Sequence, residues 1–269
     1  MNTKFHLLIA ACSILSVGSV SAHTNYGGTA RDLGPSAGST PGVITGTAIT
    51  PYFKTISSQT VTSNFGWAAG TDTDKLGNAH DIKAFRFTLA EAGLATITVT
   101  RAARGSGLQA FLPAFSLYTG LLHTNGIADY DTAPVTLAHL ATLGGTQPKN
   151  GAFNALDSWK IGNDAGDLSS LSYIGNTADG TSAVFGSAPG INGDGIADGS
   201  VQQSIWLPAG DYSLIIGGAG ISGSDVTGTY GIDASLSVIP EPASALLVTV
   251  SSCAILLRRR RKRELLFFR

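Results

Sequence analysis

The feature that most restricts this chain is a period of two. Phe85, Phe87 and Leu89 alternate with Arg86 and Thr88, and Ala95, Ile97 and Val99 alternate with Thr96, Thr98 and Thr100. Successive side chains of an extended backbone point to opposite faces, so this spacing buries one set and leaves the threonines on the other. Glu91-Ala92-Gly93 lies between the two runs, and the reading is a hairpin turned there. Further short strands are predicted at Phe115-Ser116-Leu117-Tyr118, closed by Thr119-Gly120, at Gln203 to Leu207, and at Tyr212 to Ile216. A last strand is predicted where Tyr230, Ile232, Ala234, Leu236 and Val238 alternate with small or polar residues, which places the domain boundary at Ile239. Aromatic and β-branched residues favour the pleated state. The predicted fold is mainly β: a single β-sandwich or jelly-roll-like domain with long loops rich in Gly, Asn and Asp.

Residues 24 to 50 are rich in Gly, Thr, Ser and Pro and are expected to form a loose entry. Within them Gly34-Pro35-Ser36-Ala37-Gly38 fits G-x-S-x-G. A nucleophile elbow needs a buried strand before it and a helix after it, whereas Pro, Gly and Ser flank this one. Gly218-Ala219-Gly220-Ile221-Ser222-Gly223 fits G-x-G-x-x-G and follows a strand. Another strand comes next, so no helix dipole is set against a pyrophosphate, and the segment reads as a glycine-rich turn. Residues 120 to 200 read as an insertion of long loops. In it, Val135 to Leu143 is a short helix or an extended run, and Ala152 to Trp159 carries a helical turn. With no H-E-x-x-H, paired C-x-x-C or triad in view, the body is not expected to be an enzyme.

The two ends are apolar. Met1-Asn2-Thr3-Lys4 precedes a largely apolar run from Phe5 to Val20, and Ser21-Ala22 precede His23. Residues 1–22 therefore read as a helical export signal, removed by signal peptidase between Ala22 and His23. Ile9-Ala10-Ala11-Cys12 offers a lipobox instead, with Cys12 lipidated as first residue and membrane anchor; the later cut is preferred because only Phe5 to Ala11 precede Cys12. At the other end Pro240-Glu241-Pro242 interrupts regular structure and residues 243–257 carry no charge. Arg258, Arg259, Arg260, Arg261, Lys262 and Arg263 follow, and residues 264–269 form a short tail. That order reads as linker, transmembrane helix and cytoplasmic anchor, with the body outside. The uncharged helix would reach about 22 Å against a hydrocarbon layer of about 30 Å, so the bilayer thins or the arginines snorkel.

This tail resembles the PEP-CTERM sorting signal of Gram-negative bacteria, with Pro240, Glu241 and Pro242 as the namesake motif and Arg258 to Arg263 as the basic end. The resemblance implies that an exosortase, a membrane-embedded cysteine peptidase, cuts near the motif. The membrane-anchored precursor then delivers its body to the cell surface, a biofilm's extracellular matrix or the medium. An ordinary anchor that is never cut is the alternative. Residues 23–239 form the body. At Phe85 to Leu89, Phe115 to Tyr118 and Leu207-Pro208-Ala209-Gly210-Asp211-Tyr212-Ser213-Leu214-Ile215-Ile216 it resembles the β-sandwich modules typified by the bacterial pre-peptidase C-terminal domain. Such modules are accessory, binding or surface domains, which leans away from catalysis.

Charge divides unevenly along the chain. Nine of the seventeen Lys and Arg but sixteen of the eighteen acids lie in residues 23–239, so the body is net about minus seven while the whole chain is −1. Phosphate binding needs clustered positive charge, and the one basic cluster is the tail's anchor, so nucleic acid is excluded as a partner. Both cysteines, Cys12 and Cys253, lie in the apolar ends, and the body relies on core burial without a disulfide.

Two metal sites are candidates. Asn192-Gly193-Asp194-Gly195-Ile196-Ala197-Asp198 has the N-x-D-G-x-x-D spacing of calcium (Ca2+) loops, in which alternate oxygens converge on a hard cation. Gly190 stands where an acid is usual and no glutamate closes the loop at Val201, which favours a metal-free turn. His23, once it is the first residue, joins a terminal amine to its own imidazole, a pair that chelates copper (Cu2+), with His80, His123 and His139 as candidate partners. The expected role is structural or binding, with exopolysaccharide as the ligand that the sorting resemblance implies. Copper binding or copper-dependent oxidation through His23 is the alternative.

Overall fold

The computed structural model describes residues 23–37, 40–45, 51–67, 76–105, 111–124, 128–143, 153–181, 190–220 and 228–240. In chain order its elements are β1 (His23–Thr24), β2 (Ser36–Ala37), β3 (Thr40–Pro41), β4 (Val43–Ile44), β5 (Tyr52–Thr62), β6 (Lys83–Leu89) and β7 (Gly93–Gly105). They continue as β8 (Pro113–Thr119), β9 (Asp129–Tyr130), α1 (Pro134–Ala141), β10 (Trp159–Gly162), β11 (Leu168–Ala178), β12 (Ser200–Leu207), β13 (Gly210–Gly218) and β14 (Thr229–Pro240). The strands form an eight-stranded sheet in the order β1-β9-β10-β11-β8-β13-β6-β4, a four-stranded sheet in the order β12-β7-β14-β5, and the small β2-β3 pair. The architecture is a β-sandwich, as the alternation predicts.

The predicted hairpin does not form. β6 pairs with β13 in the larger sheet, while β7 pairs with β12 and β14 in the smaller one. Ala90-Glu91-Ala92 therefore arches from one sheet to the other, and Pro208-Ala209 makes the same crossing between β12 and β13. The apolar sets of β6 and β7 meet face to face: Phe85, Phe87 and Leu89 share one core with Ala95, Ile97 and Val99. Period two fixes that a face is buried; it leaves open whether the next strand lies beside that face or opposite it.

Behind the larger sheet lies a second core. Ala84, Ala114, Tyr118 and Ile215 point away from the smaller sheet and pack with Tyr26, Trp67, Phe153, Trp159 and Leu171. Two serines on this buried face are satisfied by the layer that covers them, as buried hydroxyls require. Ser116 Oγ accepts from Trp67 Nε1 at 2.8 Å and donates to the Ala155 carbonyl. Ser213 Oγ lies 2.6 Å from Tyr26 Oη and donates to the Gly120 carbonyl. β8 and β13 are consequently buried on both faces.

Three loop expectations are corrected. The entry is not loose over residues 23–37, because Tyr26, Asp32 and Leu33 are buried against the larger sheet and Asp32 faces Arg86 at 3.7 Å. Residues 120–200 are not only loops: β9, β10 and β11 supply that sheet's outer half, and the ambiguous run at Val135 is the helix α1. No helical turn forms at Phe153 to Trp159, where bends lead into β10. β14 also runs one residue past the expected boundary, with Pro240 opposite Gly93. Among the described residues no helix is long and apolar enough to cross a membrane. The signal helix at 1–22 and the transmembrane segment at 243–257 lie outside the described residues.

Candidate functional site

The outer edge of the larger sheet is built from very short strands. β1 contributes two pairs to β9, His23 with Tyr130 and Thr24 with Asp129. Thr24 and Asp129 are both buried. Ser169 Oγ donates to Asp129 Oδ2, while Asp129 Oδ1 and Thr24 Oγ1 have no hydrogen-bond partner. A buried acceptor without a donor is costly, which marks this edge as chemically incomplete. Burial pushes the Asp129 carboxyl up to about 6, opposed by the Ser169 bond and by His123 nearby.

His123 is fastened to the same place through its backbone. Its N–H donates to Ser169 Oγ at 2.7 Å, and its carbonyl accepts from Asn163 Nδ2 at 2.9 Å, while its side chain is exposed. α1 closes the edge from above. Thr136 Oγ1 donates to the Tyr130 carbonyl at 2.7 Å and accepts the Gly162 N–H at 2.7 Å, tying the helix to β9 and β10. The last turn of α1 carries His139, whose pKa is lowered by burial and by Lys160. The fold thus gathers His23, His123 and His139 onto elements built around β9 and β10.

His80 is not brought there. Its N–H donates to Asn78 Oδ1 at 3.0 Å in the loop that leads into β6 at Lys83, which pairs with Ile216. The segment carrying His123 leaves β8 at Thr119, which pairs with Tyr212 near the opposite end of β13. The length of the sheet separates the two.

The calcium-like loop folds onto the end of β11. Asp194 Oδ1 accepts the Gly180 and Ile196 N–H groups at 3.0 and 3.1 Å, and Asp198 Oδ1 accepts the Ser200 N–H at 2.9 Å. Asp179, buried at the strand's end, accepts the N–H groups of Asp198 and Gly199 at 2.9 and 2.7 Å. Burial chiefly raises the Asp179 carboxyl to about 6, with Asp194 and Asp198 adding to the rise. Asn192 is engaged with Asn176. These carboxylates cap turns with the lone pairs that a cation would need, and among the described residues no three His, Cys, Asp or Glu side chains close into a metal group.

Ser36 of the G-x-S-x-G run lies in β2, paired with β3 and not at a strand-to-helix turn. Of the sorting motif, Pro240 ends β14, while Glu241, Pro242 and Arg258 to Arg263 lie outside the described residues, as does Ala22. Asp129, Ser169 and Asp179 were not foreseen. Asp129 sits among other polar loop residues, and nothing in its neighbourhood marks it as buried; Asp179-Gly180 carries only an ordinary turn signal.

No family model and no curated protein matches the chain. Among solved structures, one similar protein is CorA of Methylomicrobium album BG8, a surface-associated copper-binding protein important in copper acquisition. It shares 16% identity over 68% of this chain and 94% of that one, with a TM-score of 0.45. Another is the secreted protein MopE of Methylococcus capsulatus, in which an oxidized tryptophan facilitates copper binding. It shares 14% identity over 82% of this chain and 92% of that one, with a TM-score of 0.40. At such scores no function passes from either protein to this chain.

Proposed function

We propose that this chain is an exported surface protein that binds copper through the amino terminus created when the signal is cut before His23. The observation that carries this reading is the position of His23 itself: it opens β1, and β1 is zipped onto β9 beside the buried, half-satisfied carboxylate of Asp129. A new terminus here is held by a sheet rather than left on a floppy tail. The amine and imidazole of His23 supply two nitrogens from one residue, so a single further imidazole completes a three-nitrogen set suited to Cu(II). His123, whose side chain is exposed and whose backbone N–H bonds the same Ser169 that bonds Asp129, is our candidate for that imidazole. The nearby carboxylate favours a cationic centre by simple Coulomb attraction.

The test is direct. The exported protein, its first residue identified by mass spectrometry, is titrated with Cu(II) and followed by electron paramagnetic resonance. One equivalent should give a nitrogen-coordinated signal that His23→Ala abolishes and His123→Ala alters. An alanine inserted between Ala22 and His23 should also abolish it while leaving every side chain in place. A protein that begins at Cys12, or a signal indifferent to His23→Ala, would overturn the reading.

A further inference from the structure

We infer that the outward face of the four-stranded sheet is a docking surface for a neutral polysaccharide, gripped between Trp206 on one edge strand and Phe53 on the other. The face belongs to the sheet that lacks β1, so it stands independently of the copper reading.

Strand register defines the face. One row across the sheet reads Gln202, Thr98, Ser235, Thr55, and the next reads Ser204, Thr96, Ser237, ending on Phe53. Neither row contains a charged side chain. A charged pair lies one row further on, where Asp233 stands opposite Thr100 and is engaged by Arg104. Solvated sheet faces ordinarily keep themselves soluble and unpaired with lysine and glutamate; this one presents hydroxyls and an amide instead.

Those groups are held in line by lateral bonds. Thr96 Oγ1 lies 2.8 Å from Ser204 Oγ, Thr55 Oγ1 lies 2.9 Å from Ser235 Oγ, and Gln202 Nε2 donates to Thr98 Oγ1 at 2.9 Å. Each hydroxyl has one proton and two lone pairs, so a single lateral bond leaves capacity for a ligand. The lattice is thus ordered before anything binds, which lowers the entropy lost on association.

At its borders the face turns aromatic. Trp206 is 57% exposed and Phe53 67% exposed, unusual for rings of this size on a sheet that has a core to bury them in. They stand on the two edge strands, three strand spacings or about 14 Å apart across the sheet, with Trp206 one row beyond Phe53, level with Leu94 and the exposed Ile239. A pyranose chain matches this combination: its hydroxyl rim exchanges hydrogen bonds with the rows, and its flat C–H faces stack on the indole and phenyl rings. Because the two rows carry no charged side chain and the body is net acidic, the complementary glycan is a neutral one.

The exported protein is titrated with cellohexaose, maltohexaose and mannohexaose, with oligoguluronate as the charged counterpart, and tryptophan fluorescence and calorimetry are recorded. At least one neutral hexaose should bind. Trp206→Ala should weaken it by about tenfold and Phe53→Ala by a smaller factor, the scale of losing one aromatic stack. Both rings are exposed, so neither change should move the melting temperature, and oligoguluronate should not bind. The inference is overturned if no neutral hexaose binds at millimolar concentration, or if both variants bind like the parent. It is likewise overturned if Trp206→Ala alters only self-association or only binding to phosphatidylglycerol vesicles.

Discussion

The two sheets share one core but differ in what lies behind them. The smaller sheet turns a row-ordered hydroxyl face to solvent, whereas the middle of the larger sheet is covered again by Tyr26, Trp67, Phe153 and Trp159. One sheet is therefore half-buried and the other is buried on both faces at its middle strands, β8 and β13, and their sequences show it. β7 alternates from Gly93 to Thr100 and β14 from Ile232 to Pro240; β8 and β13 do not, and they carry serines whose hydroxyls must find partners inside. A sheet buried on both faces must satisfy its polar groups within the protein, which explains why Asp32, Asp129 and Asp179 are all buried on the larger sheet's side.

If the second layer were decorative, the larger sheet would stand without it. Trp67→Ala removes a fully buried ring together with the indole N–H donated to Ser116, and it should cost about 3–5 kcal/mol in chemical denaturation. The transition should remain a single step. A separate early transition that leaves the sandwich intact would show the layer to be an add-on.

A smaller effect tests the buried acids. Asp129 has its folded pKa raised to about 6 from an unfolded value near 3.8. Its protonated form is the one the fold prefers, so its contribution is fully present below the unfolded value and is lost as pH rises through about 6. Asp129→Asn should then stabilise the protein at pH 7.5 by up to about 3 kcal/mol, the free-energy equivalent of that rise in pKa, and have little effect at pH 4. Equal effects at both pH values would contradict this. On the solvent face of the smaller sheet, Thr98→Ala should stay within about 0.5 kcal/mol of the parent at any pH. A larger loss there would mean that this face is not simply solvated in the isolated protein.

What was legible in the sequence follows the regularity of each strand more than the sheet it joins. β7 and β14 of the smaller sheet could be read from period two because water lies on one side of them, and β6 of the larger sheet could be read the same way. β5 was missed, its alternation broken around Ser58, which has a positive φ. β11 could not be read either. Ser169 and Leu171 point inward in its first half, but the register shifts between Tyr173 and Gly175, so the second half buries Asn176 and Ala178 on a different phase. A bulge of this kind erases the very signal that identifies a strand. The entry segment was missed for another reason: it joins the larger sheet only in short pieces, at β1 beside β9 and at Asp32 beside Arg86, too short to show a period. The edge site at Asp129 depends on contacts among residues 24, 123, 129 and 169, separations that no local pattern encodes.

β14 ends on Pro240 after being laddered to β5 on one side and β7 on the other. Any tether joined beyond that proline would pull along the strand's own axis. Tension would then be shared by both ladders in shear, instead of peeling them apart one bond at a time. A body hung from such a point would resist drag at the cell surface far better than one hung from an edge strand or a loop.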